Sequence, residues 1–64
     1  MIFLDSKGNE LKLGDKVLMT LIGLGSGEVE VVEYQNELCL YDTIQGYYPL
    51  KYACSRTDLI LEII

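Results

Sequence analysis

Two carboxylates spaced two residues apart on an extended chain share a face, and Glu28 and Glu30 have that spacing. At about 3.3 Å of rise per residue they lie about 6.6 Å apart. That overlaps the separation of the acid and base in inverting glycosidases. Such chemistry also needs a sugar-sized cleft and two unequal environments for its carboxyl groups. The remaining nucleophiles lack activators. Ser6, Ser26, Ser55, Cys39 and Cys54 are all present, but the chain contains no His. The commonest general base and metal ligand is therefore missing. Lys51 beside Tyr52 is a further reactive-pair reading. Asp5-Ser6-Lys7-Gly8-Asn9 opens like a calcium loop, yet an EF-hand wants an oxygen ligand at its third position and Gly at its sixth. Here Lys7 is third and Gly8 comes early. Gly23-Leu24-Gly25-Ser26-Gly27 looks superficially like a dinucleotide loop, which needs a helix after it. The next residues, Glu28 to Tyr34, alternate as a strand instead. The expectation is a non-catalytic protein with no cofactor and no metal.

The elements that would position these residues must fit into 64 residues, which make one domain spanning residues 1–64. A domain this short buries only about 60% of the surface its unfolded chain exposes, so a deep cleft is hard to build. Half the residues are hydrophobic, which excludes a disordered tail. The charge is unevenly placed. Lys7, Lys12 and Lys16 balance Asp5, Glu10 and Asp15, and Lys51 and Arg56 balance Asp58 and Glu62. The net charge of −5 thus sits entirely on Glu28, Glu30, Glu33, Glu37 and Asp42. Phosphate-backbone binding needs a basic face, so direct nucleic-acid binding is disfavoured. A basic protein partner and a purely solubilising role both remain as readings of the acidic block.

The first residues lack a basic segment and a long apolar run, so no secretory signal is read there. Cys39 and Cys54 are then expected as reduced thiols in a cytoplasmic setting, with a bridge between them as the lesser reading. The apolar run Val17 to Leu24 is too short to span a membrane.

Period-two alternation dominates the chain. Met1 to Leu4 reads as a strand-like lead-in and Asp5 to Asn9 as a turn. Leu11 and Leu13 are expected on one face, followed by a turn at Gly14-Asp15. Lys16 to Leu24 reads as a long strand with Val17, Met19 and Leu21 on one side. Val29 and Val31 are expected inward, with Glu28 and Glu30 outward. After a tight turn at Gln35-Asn36, Leu38 and Leu40 point inward and Glu37, Cys39 and Tyr41 outward. Gln45-Gly46 is a hairpin turn. Tyr47 to Leu50 is extended, with Pro49 confining it to an edge. Tyr52 to Asp58 reads as a loop or a single 3₁₀ turn, and Leu59 to Ile64 as a closing strand. The pattern predicts an all-β fold. At this length it predicts a small SH3-like, partly open β-barrel of five to six short antiparallel strands.

Asp5-x-x-Gly8-x-Glu10-Leu11-x-x-Gly14-Asp15-x-Val17 resembles the start of YopX-like proteins of bacterial phages and prophages. Gly27-Glu28-Val29 is similar to that family's glycine–valine hairpin arm, and Leu61 to Ile64 to a strand near its end. The resemblance implies a small β-barrel of phage or prophage origin in the cytoplasm of the host cell. It brings no catalytic residues with it.

Two surfaces stand out. Tyr41, Tyr47, Tyr48 and Tyr52 fall within twelve positions, and with Glu28, Glu30 and Glu33 they form a candidate partner-binding set. Tyr suits sites that are apolar at one end and wet at the other; pairing within a hairpin is the competing explanation. Leu18, Ile22, Ile60 and Ile64 would lie opposite the core set and give a candidate self-association face for a homo-oligomer. The functions expected are a protein-binding module using the acidic, tyrosine-rich face, an inhibitor imitating nucleic acid with carboxylates, or an assembly protein. A small-ligand site between subunits is a further reading.

Overall fold

The computed structural model describes residues 2–64. Five strands, β1 (Lys16–Leu21), β2 (Gly25–Tyr34), β3 (Glu37–Asp42), β4 (Gly46–Pro49) and β5 (Leu59–Ile63), form one antiparallel sheet in the order β4-β3-β2-β1-β5. A single helical turn, α1 (Leu50–Ala53), separates β4 from β5. The fold is all-β, as the alternation predicts.

Register fixes which residues share a side. Val17 pairs with Val29 and Ile63, Val31 with Leu40, and Leu40 with Tyr48. Of these, Val17, Val29, Val31 and Leu40, with Leu11, Leu50, Ala53 and Leu61, are the core. Phe3, Met19, Leu38, Tyr48, Leu59 and Ile63 pack against it. Full burial of an aliphatic side chain stabilises by about 1.5–3 kcal/mol, so this side of the sheet holds the domain together. Leu50 and Ala53 reach the core because Pro49 ends β4 and its fixed φ of −59° leads straight into the helical turn. Helical geometry thus begins at Leu50, earlier than the loop expected from Tyr52, and Leu50 itself is not extended.

The hairpin turns follow local chemistry. Tyr34 pairs with Glu37 across Gln35 and Asn36, whose φ values are +53° and +66°. Two central residues with positive φ make the tight hairpin geometry that suits strand twist. The β3–β4 loop is Thr43 to Gln45, and Gly46 (φ +82°) opens β4 opposite Asp42. The turn therefore begins two residues before Gln45.

Several expectations are corrected. The first strand stops at Leu21; Ile22 to Leu24 turn the chain, and the Leu24 amide donates to the Leu21 carbonyl at 2.9 Å. Gly25 to Gly27 already belong to β2. The N-terminal lead-in is not a strand: Leu4 makes one isolated bridge to Glu10, and Met1 lies outside the described residues. Leu13 is 63% exposed and does not share the side of buried Leu11. Period-two logic fails there because the chain turns. The Asp15 amide donates to the Lys12 carbonyl at 3.0 Å, and the Asp15 carboxylate accepts from the Lys12 amide at 2.8 Å.

The Asp5 turn is tied to the last strand. One Asp5 oxygen accepts from the amides of Lys7 (2.9 Å) and Asn9 (2.8 Å), and the other accepts from Ile63 (3.2 Å). The Ser6 amide donates to the Leu61 carbonyl at 2.7 Å. In β5 the neighbouring positions bond to β1, as in Ile64 amide to Lys16 carbonyl. Leu61 and Ile63 therefore offer their backbone groups on the outer edge, and residues 5–6 cover it. Burial acts to raise the Asp5 pKa, but the hydrogen bonds from Asn9, Ile63 and Lys7 outweigh it and hold the carboxyl below its ordinary 3.8.

A tyrosine shelf as the candidate functional site

The side of the sheet away from the core carries the candidate residues. On β2 the positions out of phase with the buried Val29 and Val31 are Glu28, Glu30, Val32 and Tyr34. Cross-strand pairing then sets the rows. Lys16, Glu30, Tyr41 and Tyr47 form one row across β1, β2, β3 and β4. Val32, Cys39 and Pro49 form the next, and Tyr34 pairs with Glu37 beyond it. Glu28 pairs with Leu18 at the other end.

Three rings close over the middle of this face. Tyr34 and Tyr47 stack with centroids 3.9 Å apart and planes 6° from parallel. Tyr41 meets Tyr47 at 4.9 Å, tilted 43°. The Tyr34–Tyr47 contact runs diagonally from β2 to β4, across the row that holds Cys39. This explains a correction to the sequence reading. Cys39 does point to the outward side, but it is only 1% exposed. Its Sγ lies 3.8 Å from the Glu37 carbonyl oxygen. Burial pushes its thiol pKa up, the Glu37 charge adds to that, and Lys51 opposes it. A thiol in this state is a packing group. Cys54, at the end of α1, is free and exposed.

The acidic end of the shelf is a shallow depression of about 230 Å³, lined by Lys16, Glu28, Glu30, Tyr41 and Thr43 among others. Lys16 Nζ is 3.8 Å from Glu30 Oε1, with both side chains largely in solvent. The depression falls below the roughly 300–1,000 Å³ of pockets that enclose drug-sized ligands. Glu28 and Glu30 stand on an open strand face here, with no sugar-sized cleft around them.

Of the proposed partner-binding residues, Glu28, Glu30, Tyr41 and Tyr47 come together on this face. Glu33 does not: it pairs with Leu38 in the opposite phase of the alternation. Tyr48 pairs with Leu40 and packs against the core, with its hydroxyl oxygen 3.5 Å from Arg56 Nη1. Tyr52 lies exposed on α1, where the Lys51 ammonium sits 5.2 Å from its ring centroid. Lys51 also pairs with Glu37 at 3.4 Å. Tyr34 belongs to the shelf and is absent from the candidate set. Its even spacing from Glu28 and Glu30 is the signal that places it there.

Of the proposed self-association residues, Leu18 on β1 and Ile60 on β5 share the outward side, whereas Ile22 lies in the turn after β1 and Ile64 just past β5. Ile22, Ile60 and Ile64 are exposed and Leu18 is half-buried. They do not form an unbroken strip. Glu62 pairs with Leu18 in the register, and its carboxylate bonds the Lys7 ammonium. Among the described residues, no three His, Cys, Asp or Glu side chains gather in a metal-binding group, and no helix is long and apolar enough to cross a membrane. Compared with models of known protein families, with curated proteins and with solved structures, the chain matches none.

Proposed function

We propose that this chain is a non-catalytic protein-binding module that engages a basic protein through the tyrosine shelf and its acidic end. The observation that carries this reading is the contiguous outward face of Tyr34, Tyr41 and Tyr47 beside Glu28 and Glu30. Amphipathic rings and carboxylates on a rigid sheet supply contact area at low entropic cost and steer a cationic partner. The barrel is of the SH3-like, partly open kind; the strand order and the helical turn before β5 support that description. The YopX-like resemblance of residues 5–17 supports an origin in a phage or prophage and a partner in the host cytoplasm. The reading calls for no cofactor, no membrane and no direct nucleic-acid contact, in keeping with the net charge of −5.

The test is charge reversal. Glu28→Lys with Glu30→Lys should abolish capture of basic proteins from a bacterial lysate, and Glu33→Lys alone should leave most of it. Unchanged capture by the double variant would refute the reading.

A second reading, a homo-oligomer built on β1 and β5, rests on exposed Ile22, Ile60 and Ile64 beside Leu18. Ile60→Asp or Leu18→Asp should then dissociate the assembly. A compact monomer in sedimentation at high micromolar concentration would dispose of it.

A further inference from the structure

We propose that the acidic end of the shelf seats the guanidinium of an arginine, presented by an extended basic segment of the partner protein; this rests on the protein-binding reading above. Three features select that occupant. Glu30 and Tyr41 are paired across β2 and β3, so a carboxylate and an aromatic ring stand side by side on one row. Glu28 is one strand repeat further along the same face, so two carboxylates flank the depression. A planar cation can lie flat on a tyrosine ring while its edge donates to carboxylates, and arginine is the side chain with that fork.

The second feature is Lys16. Its ammonium stands 3.8 Å from Glu30 in a solvent-exposed pair. A long exposed pair of this kind is weakly held. Lys16 occupies the cation position loosely, and an arriving arginine displaces it.

The third is the rest of the shelf. The face-to-face stack of Tyr34 and Tyr47 leaves no gap for a cation between the rings at 3.9 Å. That part of the shelf therefore takes an apolar side chain, and the cation belongs at Tyr41. A segment crossing the strands would place arginine over Tyr41 and a neighbouring aliphatic residue over the stack. The charge of the whole molecule agrees, because the net −5 is concentrated on residues 28–42 and draws in basic partners from a distance.

The experiment is a ¹H–¹⁵N NMR titration of the full chain with acetylated, amidated Gly-Arg-Leu-Arg-Gly, and with its twin carrying lysine for arginine. The expected result is amide shifts centred on Glu28, Glu30, Tyr41 and Thr43, with the lysine twin about fivefold weaker. Glu30→Gln should weaken the arginine peptide about threefold to tenfold. Lys16→Gln should tighten it, which a purely structural role for Lys16 would not produce. Tyr41→Leu should erase the preference for arginine; should that variant fail to fold, Glu30→Gln and Lys16→Gln decide. Equal affinity for the twins, or shifts confined to Tyr34 and Tyr47, would overturn the arginine seat and leave the protein-binding reading standing. Shifts nowhere on this face, combined with unchanged lysate capture by the charge-reversed variant, would overturn both.

Discussion

The outward side of the sheet has two halves that treat apolar side chains differently. On β2, β3 and β4, three tyrosines meet across the row that holds Cys39, which is buried beneath this face. Around β1 and β5, Ile22 in the turn, Ile60 on β5 and Ile64 just past it remain exposed, interrupted by the Lys7–Glu62 pair. The difference lies in ring size and strand spacing. β2 and β4 lie two strand spacings apart, about 9–10 Å, and a tyrosine ring from each closes that gap over β3. A branched aliphatic chain cannot reach that far. One half joins its rings in contact although Tyr34 and Tyr47 stay 42% and 48% exposed, and the other offers separate apolar spots. The inner side provides the scale for both.

Substitutions can break or sharpen that contrast. Leu50→Ala, in the inner core, should cost about 2–5 kcal/mol. Urea unfolding measures it, and a loss below about 1 kcal/mol would mean that α1 is not part of the core. Asp5→Asn tests the tie between the first turn and β5. The folded-state pKa of Asp5 is lowered, so its contribution is complete above the ordinary 3.8 and is lost as the pH falls through the lower folded value. The gap in stability between Asp5→Asn and the parent chain should therefore be full at about pH 7 and close toward about pH 2. A gap independent of pH would rule out the carboxylate as the source.

Tyr47→Ala removes the ring shared by both aromatic contacts and should cost about 1–3 kcal/mol. In a Cys54→Ser background it should also open Cys39 to thiol reagents, with labelling many-fold faster than in the parent. Ile60→Ala, on the other half, should change stability by no more than about 0.5–1 kcal/mol and leave Cys39 protected. Equal effects of Tyr47→Ala and Ile60→Ala would erase the distinction between the halves. The smallest change is a gain. Gln35 holds φ at +53° without being glycine, and Gln35→Gly should relieve that strain for roughly 0.5–1 kcal/mol of added stability. A loss there would show that the Gln35 side chain matters beyond its backbone.

The inner side is legible in the sequence because alternation alone specifies it. Val29, Val31 and Leu40 lie where a period of two puts them, and Gln35-Asn36 turns where two polar residues permit it. Leu13 is not legible, since alternation carries no warning that the Asp15 carboxylate turns the chain back on Lys12. For Cys39, alternation gives the correct side and the wrong solvent exposure, because the stack of Tyr34 and Tyr47 crosses its row from the strands to either side. The candidate site is half legible for the same reason. Phase along one strand places Glu28 and Glu30 together and separates Glu33 from them. Register between strands, which sequence does not supply, decides that Tyr41 and Tyr47 join the acids while Tyr48 turns inward.

The bond from Ile63 to Asp5 joins positions 58 residues apart. Its consequence is one of timing. During synthesis, the residues that shield the sheet's outer border emerge well before the border itself. Until translation passes the closing strand, β1 is the bare border and the guard has nothing to hold. Deleting the guard while keeping the strand would leave that margin bare, inviting neighbouring chains to add on strand by strand.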